Sequence, residues 1–114
     1  MIKMNDRNSK TKKQSGACVL PCDFHTHTGF SDDCDVPMEQ MVEGAIAHGI
    51  ETLAITDHYD PGYPDPEFPF QLDFSRYLPA LQAVQTKYRD KIEILAGMEI
   101  GILKGHFEEA RRAV

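Results

Sequence analysis

Two histidines separated by a single residue, His25 and His27, open a segment whose composition suits metal binding. If the apolar residues before them form a strand, side chains two apart point to the same face, so both imidazoles lie side by side. Neutral imidazole is the commonest metal ligand in proteins. Asp33, six residues after His27, adds a carboxylate, a donor that harder cations prefer. The spacing therefore predicts that this segment binds a cation.

Two later segments end in the same kinds of residue. Asp57 and His58 follow the aliphatic run 52–56, and Glu99 comes shortly after the run 92–96. A single His-x-His pair is more often coincidence than a site, but clustered acids have no use in a hydrophobic core. Because buried carboxylates are costly without partners, several that meet at one place indicate a bound cation or paired charges. We therefore predict one metal site, built from the ends of three strands.

Three strands are needed to position these residues, and the sequence has three suitable apolar runs. The first is 19–24, where Pro21 indicates a late start or an edge position because proline cannot donate to a ladder. The second, 52–56, is apolar at successive positions, as in a parallel sheet covered on both faces. The third run is 92–100.

Helices are predicted between and after the strands. Pro37 is expected in the first turn of one helix, with Gly49 as its C-terminal cap and His48 as a capping residue, not a ligand. Asp73 is a suitable N-cap for a second helix, and a third follows His106, which we expect to be exposed. The two longer helices have apolar stripes at helical spacing, formed by Met38, Met41, Val42, Ala45 and Ile46 and by Phe74, Tyr77, Leu78, Leu81, Val84 and Tyr88.

The loop 59–73 is rich in proline and aromatic residues. A connection this long inside a compact domain usually has a function. One interpretation is a lid or wall over the ligand loops, and the other is an aromatic patch that packs onto the body or a partner. The residues concerned are Pro61, Pro64, Pro66, Pro69, Tyr59, Tyr63, Phe68 and Phe70.

The resulting order, β-α-β-α-β-α, predicts a parallel α/β sheet with right-handed crossovers. Every candidate ligand lies at or just past the carboxyl end of a strand. Barrels and open sheets of the α/β class keep their active sites at that end.

Length and charge bound the class of protein. The 114 residues suffice for one small domain, and 26% charged with 41% hydrophobic residues is ordinary for a globular chain. Residues 1–17 hold five basic side chains and one Asp, a net charge of +4. Because the whole chain has a net charge of −6, the other residues together carry −10. We expect 1–17 to be a disordered tail; a nucleic-acid-binding arm is the alternative, but the acidic body and the lack of aromatics in the tail argue against it.

The cysteines and the hydropathy indicate a cytoplasmic protein. Cys18, Cys22 and Cys34 are odd in number and form no Cys-x-x-Cys pair, which suggests reduced thiols rather than a disulfide framework. Cys34 lies beside the ligand loop and is interpreted as a bystander more readily than as a ligand. No apolar run approaches a transmembrane length, and the N-terminus lacks the apolar region of a secretory signal.

These motifs, in this order, resemble the PHP (polymerase and histidinol phosphatase) metallo-phosphoesterases over about residues 19–114. The matching segments are Asp-Phe-His-Thr-His-Thr at 23–28 with Phe-Ser-Asp-Asp at 30–33, Thr-Asp-His at 56–58 and Gly-Met-Glu-Ile-Gly at 97–101. The segment 64–70 and the Glu-Ile-Gly resemble the histidinol-phosphatase branch in particular.

The resemblance implies a distorted (β/α)7 barrel with up to three divalent metal ions, drawn from zinc, manganese and iron, at its carboxyl-end face. It implies five ligands in this chain, His25, His27, Asp33, His58 and Glu99. His25 and His27 would bind the first metal, and Glu99 would bridge the first and second. Asp33 and His58 would hold the third, and Asp57 would orient a ligand or water.

The implied reaction is hydrolysis of a phosphomonoester, most specifically L-histidinol phosphate to L-histidinol and phosphate in histidine biosynthesis. Divalent ions acidify bound water and neutralise phosphate charge, so no protein nucleophile is needed, and no Ser or Cys lies in a nucleophile context. Two alternatives stay open: a PHP phosphoesterase with another substrate, and a non-catalytic module that binds metal or a partner.

The sequence departs from the family in length. A barrel takes about 250 residues, and a complete trinuclear site wants roughly nine ligands, where five candidates are present. We therefore interpret 18–114 as the N-terminal part of a PHP domain from a truncated gene, a fragment or a split gene. Because three parallel strands leave an open sheet edge, we expect the chain to associate through that edge with a missing C-terminal half or with a second copy of itself. We expect the isolated chain to bind metal weakly and to have little or no phosphatase activity.

Overall fold

A three-stranded parallel sheet with helices packed on one face forms the centre of residues 21–114, the part of the chain that this computed structural model describes. The predicted tail and the first residues of the predicted first strand lie outside that range. The strands are Cys22–Thr26 (β1), Thr52–Ile55 (β2), His58–Tyr59 (β3), Glu93–Ala96 (β4) and Glu99–Ile100 (β5), and the helices are Met38–Ala47 (α1), Phe74–Lys87 (α2) and Phe107–Arg112 (α3).

The strands pair in two parallel ladders that follow each other along the chain. The main sheet has the order β1-β2-β4, with Leu53 opposite Ile94. The short strands β3 and β5 form a second ladder in which His58 lies opposite Glu99. The predicted α/β class with parallel strands is thus confirmed.

The prediction of one continuous third strand over 92–100 is wrong, because the strand is interrupted between β4 and β5. At the interruption Gly97 donates its N–H to the Ile55 carbonyl at 2.9 Å. A Cβ added to Gly97 would lie 2.9 Å from Thr56 Cγ2, so only glycine lets the backbone approach β2 this closely. Beyond this point the chain pairs again, with Glu99 donating its N–H to the Asp57 carbonyl at 3.0 Å.

Strand β1 starts after Pro21, as the proline indicated for a late start. The Pro21 carbonyl accepts hydrogen bonds from the N–H groups of Glu51 (2.6 Å) and Thr52 (3.1 Å). Proline has no N–H to donate to the ladder, but its carbonyl still ties β1 to the beginning of β2.

Helix α1 begins one residue later than predicted. Pro37 is the N-cap with an extended ψ of 145°, so it precedes the first turn instead of lying in it. At the other end Gly49 has a φ of +80°, the left-handed conformation that favours glycine. The His48 ring nitrogen Nδ1 lies 2.8 Å from the Gly44 carbonyl oxygen, so His48 caps the helix as predicted.

Helix α2 begins at its predicted cap. The Asp73 carboxylate accepts a hydrogen bond from the Ser75 N–H at 3.1 Å. Tyr77, Leu81 and Val84 are buried, but Leu78 is 50% exposed and does not belong to the buried stripe. One residue is about 100° of rotation on a helix, which turns Leu78 away from the face that Tyr77 buries.

The core lies between α1, α2 and one face of the main sheet. Leu53 and Ile55 of β2 point into it, together with Ile94 of β4. The opposite face of the sheet is more open, since Phe24 is 60% and Leu95 39% exposed. Within residues 21–114, every helix is too short or too polar to cross a bilayer.

Candidate metal centre

The five predicted ligands meet at the carboxyl ends of the strands. They come from the end of β1 and the loop after it, from β3 and from β5, namely His25, His27, Asp33, His58 and Glu99. Parallel pairing brings them together, because the carboxyl ends of parallel strands lie at one edge of the sheet.

Glu99 lies at the centre of the cluster. Its Oε1 atom is 2.7 Å from His25 Nε2 and 2.8 Å from His27 Nε2. The same oxygen is 3.6 Å from Nε2 of His58, the residue that pairs with Glu99 across the β3–β5 ladder. Three imidazole nitrogens thus converge on a single carboxylate oxygen.

Asp33 provides a second meeting point. Its Oδ2 atom is 3.1 Å from His27 Nδ1 and 3.5 Å from His58 Nε2. The described residues therefore contain two groups whose donor atoms all lie within 4.8 Å of one another. These groups are His25, His27 and Glu99, and His27, Asp33 and His58.

The electrostatics of the cluster centre on His27, which has one carboxylate at each ring nitrogen. Burial lowers the pKa of His27, but its hydrogen bonds with Glu99 and Asp33 and their charges outweigh burial and raise the pKa above its ordinary value of 6.5. For Glu99 burial raises the pKa, whereas the hydrogen bonds from His25 and His27 lower it, and the net shift is downward. The cluster thus favours positive charge between its carboxylates.

The donor set fits a divalent cation. A neutral imidazole has only one N–H, and an ionised carboxylate only accepts, so without added positive charge at least one of the two His27–carboxylate contacts lacks a proton. A cation can replace that proton. Imidazole nitrogen with carboxylate oxygen suits zinc, manganese or iron and does not choose among them.

Asp57 lies beside the cluster and is fully buried. Its Oδ1 atom accepts a hydrogen bond from the Thr28 N–H at 2.5 Å, and its Oδ2 atom accepts one from the Thr28 hydroxyl at 2.7 Å. Asp57 therefore holds the residue that follows His27. Its predicted role in orienting a ligand or water stays a prediction. In this geometry Asp57 can influence His27 only indirectly, through the backbone of Thr28.

Asp60 was missed by the sequence analysis. Its side chain is buried, with Oδ1 at 3.3 Å from His58 Nδ1 and 3.0 Å from the Gly101 N–H, which donates to it. The available signal was its spacing, because residues two apart in a strand share a face and Asp60 follows His58 by two.

The loop 59–73 contributes one wall of the site. The Phe70 ring packs against the His58 ring at a centroid distance of 4.6 Å, and the Tyr63 ring meets Phe70 edge-on at 5.1 Å. The Asp32 carboxylate accepts a hydrogen bond from the Phe70 N–H at 2.6 Å. The Ser31 hydroxyl accepts a hydrogen bond from the backbone N–H of His58 at 2.7 Å.

Other candidate donors lie outside the two groups. The Cys34 thiol faces the His27 carbonyl oxygen at 3.4 Å, as a bystander would. The His106 side chain is 39% exposed, and its Nδ1 atom lies 2.6 Å from a Glu109 oxygen.

Two histidinol-phosphatases from one organism resemble this chain in sequence and in fold. A curated histidinol-phosphatase from Lactococcus lactis subsp. lactis (strain IL1403) is 36% identical over 80 residues, which are 70% of this chain and 29% of that protein. A crystal structure of histidinol phosphate phosphatase from the same organism, complexed with Zn, L-histidinol and phosphate, matches with a TM-score of 0.75 and 32% identity over 82% of this chain and 35% of that one. The chain thus spans about a third of the length of these relatives.

A family model described as the PHP domain matches residues 23–114, a range that contains all five predicted ligands. The match covers well over half of the chain. This chain belongs to the PHP domain family.

Proposed function

We propose that this chain supplies metal ligands to a phosphomonoesterase that converts L-histidinol phosphate to L-histidinol and phosphate. The observation that carries the proposal is the convergence of three imidazoles on Glu99 Oε1. The substrate is favoured by the two Lactococcus relatives, one named a histidinol-phosphatase and the other bound to L-histidinol and phosphate.

The residues divide the work as follows. His25, His27 and Glu99 are suited to hold one cation, and Asp33 with His58 a second at the other side of His27. Divalent cations supply Lewis acidity and neutralise phosphate charge when bound. Phe70 packs against the His58 ring and Ser31 holds the His58 backbone N–H, so both contacts help to fix the position of His58.

The side chains in the site support a mechanism without a protein nucleophile. The Ser31 hydroxyl is buried and occupied by the His58 N–H, and the Cys34 thiol contacts a backbone carbonyl. Neither group has a His ring or a carboxylate as its hydrogen-bond partner in these contacts, whereas an activated nucleophile is hydrogen-bonded to a base. Attack by water on the phosphorus is therefore the chemistry that suits these residues.

We further propose that residues 18–114 form part of a distorted (β/α)7 barrel whose other strands provide additional donors. Five ligands are few for a site that wants roughly nine. The open face with Phe24 and Leu95 suits further strands or helices. A module that binds metal without turnover is the second candidate, and the small number of donors favours it for the chain alone.

The test has two parts. The purified 114-residue chain is titrated with Zn²⁺ as the wild type, as Glu99→Gln and as His48→Asn, a control histidine outside the cluster. We expect weak Zn²⁺ binding by the wild type and the control, a loss of tenfold or more in E99Q, and little phosphate release from any monoester.

A chimera tests the substrate. Residues 23–114 replace the matching segment of the Lactococcus histidinol-phosphatase, and phosphate release is measured from L-histidinol phosphate, a nucleoside monophosphate and a sugar phosphate. We expect the chimera to prefer L-histidinol phosphate and E99Q to abolish its activity. A folded, Zn²⁺-binding chimera without turnover of any monoester would favour the non-catalytic module, and preference for another monoester would reassign the substrate.

A further inference from the structure

Asp60 is an acidic residue of the site that the ligand assignment leaves without a role. We infer that Asp60 is a positioning residue, which holds the His58 imidazole with its proton on Nδ1 and its Nε2 lone pair turned toward the ligand cluster. The inference rests on the proposed metal site. It adds a residue that is not one of the five ligands.

The two nitrogens of His58 face opposite partners. Nδ1 lies 3.3 Å from Asp60 Oδ1, whereas Nε2 lies 3.5 Å from Asp33 Oδ2 and 3.6 Å from Glu99 Oε1. A neutral imidazole that gives one nitrogen to a cation carries its proton on the other, and that N–H needs an acceptor. Asp60 is the carboxylate in the right place, since metal-binding histidines usually donate their second nitrogen to such a group.

Asp60 is itself held in place. Its side chain is buried, its Oδ1 accepts the Gly101 N–H at 3.0 Å, and its own N–H donates to the Phe70 carbonyl at 2.9 Å. The Phe70 ring packs on His58 at 4.6 Å. Phe70 therefore contacts both Asp60 and the His58 ring that Asp60 orients.

Gly101 leaves the space that Asp60 fills. A Cβ at this position would lie 2.6 Å from Asp60 Cγ and 2.8 Å from its Oδ1. Any larger residue at 101 would push the carboxylate away from His58. The absence of a side chain at 101 is thus part of the arrangement that places Asp60.

Two other roles for Asp60 predict different results. As a direct ligand Asp60 would share a donor cluster with the others, but it belongs to neither group found among the described residues. As a purely structural clamp for Gly101, it would affect stability while leaving metal affinity and the His58 tautomer unchanged.

The experiment uses the full chain and Zn²⁺ with a competing chromogenic chelator. The variants are Asp60→Asn, which keeps the shape and an acceptor, and Asp60→Ala, which removes both. The control is Asp65→Asn, the same change at an exposed position of the same loop. We expect Zn²⁺ to bind roughly 10–100-fold more weakly to D60A, less weakly to D60N, and unchanged to D65N.

A second readout needs no metal. Nitrogen NMR of the imidazoles at alkaline pH, where the rings are neutral, reports which nitrogen of His58 is protonated. We expect Nδ1–H in the wild type, D65N and D60N, and a shift toward Nε2–H in D60A. If D60A does not fold by circular dichroism, Gly101→Ala replaces it, with Gly44→Ala as the control because a Cβ at 44 meets nothing within 4 Å.

The outcomes separate this inference from the proposed function. Unchanged Zn²⁺ affinity and an unchanged tautomer in a folded D60A or G101A overturn the positioning role, even if stability falls. If the wild type binds no Zn²⁺, the proposed function fails, and the tautomer measurement alone decides the role of Asp60.

Discussion

The Asp57 carboxylate accepts both hydrogen bonds that Thr28 can donate, one from the backbone N–H and one from the hydroxyl. Both residues are fully buried. Thr28 directly follows His27 just past β1, and Asp57 follows β2, so this contact ties the ends of the two strands together beside the candidate ligands. The position of His27 thus depends on Asp57, which acts through Thr28 and not through a contact with the His27 side chain.

Removal of the Asp57 carboxylate should destabilise the fold. In Asp57→Ala the buried Thr28 N–H loses a charged acceptor, and we expect the free energy of unfolding to fall by about 3 kcal/mol. Asp57→Asn keeps one acceptor and should lose less. Urea denaturation measures both, and Thr28→Ser serves as the control because serine retains both donors. An unchanged midpoint for D57A would contradict the proposed tie.

Tyr77 joins the same strand ends from the side of α2. Its hydroxyl lies 2.9 Å from the Gly97 carbonyl and 3.2 Å from the Ile55 carbonyl, and it accepts the Asp57 N–H at 3.3 Å. Burial raises the pKa of Tyr77 to about 12. The hydroxyl therefore stays protonated across the range in which the protein is studied.

Tyr77→Phe should lower the free energy of unfolding by about 1–3 kcal/mol, because the Asp57 N–H then loses its acceptor in a buried place. Tyr63→Phe, on the exposed loop, is the matched control and should change stability by less than about 0.5 kcal/mol. The measurement is again urea denaturation at neutral pH. Equal stability of the two variants would mean that the Tyr77 hydroxyl contributes nothing.

The parts of the structure that depend on few neighbouring residues were predictable from the sequence. The i, i+2 spacing of His25 and His27 places both on one side of a strand end, and the cap at Asp73 needs only Ser75 two residues on. The parallel order followed from strands that alternate with helices.

Features that depend on contacts distant in the sequence were not predictable. The interruption of the third strand arises where Gly97 meets Thr56. A glycine inside a strand indicates a close backbone approach, but the partner residue is set only by the tertiary structure. The contact between Asp60 and Gly101 is of the same kind, because these two residues become neighbours only when β3 pairs with β5. Both cases are tertiary contacts between residues that are individually unremarkable. The spacing of Asp60 from His58, by contrast, was a local signal that the sequence analysis did not use.

Phe70 has a φ of +48°, a conformation that residues with a Cβ rarely adopt. Both Phe70→Gly and Phe70→Ala remove the ring, but only glycine removes the penalty of the left-handed conformation, about 1–2 kcal/mol, partly offset by its freer unfolded chain. We expect F70G to be more stable than F70A by about 0.5–1 kcal/mol in thermal unfolding. At Phe68 the φ is not positive, so the order there should reverse, and the same order at both positions would contradict the conformational explanation.

The two shifted groups of the cluster predict how pH acts on the metal-free and the Zn²⁺-bound protein. The raised pKa of His27 means that its stabilising contribution is present below 6.5 and is lost as pH rises through the raised value. The lowered pKa of Glu99 means that its contribution is present above 4.5 and is lost as pH falls through the lowered value. The metal-free cluster should therefore contribute most to stability between pH 4.5 and pH 6.5.

Zn²⁺ should bind more tightly as the pH rises, whereas the stability of the metal-free cluster falls on the alkaline side. The reason is that the cation displaces a proton from the His27 ring, whose two nitrogens face Glu99 and Asp33. We expect the apparent affinity to rise about tenfold per pH unit for each proton displaced, until pH passes the raised pKa of His27. Competition titrations at several pH values measure this slope, and urea denaturation without metal measures the stability profile. His48→Asn, which alters a histidine outside the cluster, should leave the slope of the Zn²⁺ affinity unchanged. An affinity that is flat between acidic and neutral pH would mean that His27 carries no displaceable proton, and the electrostatic description of the cluster would then be wrong.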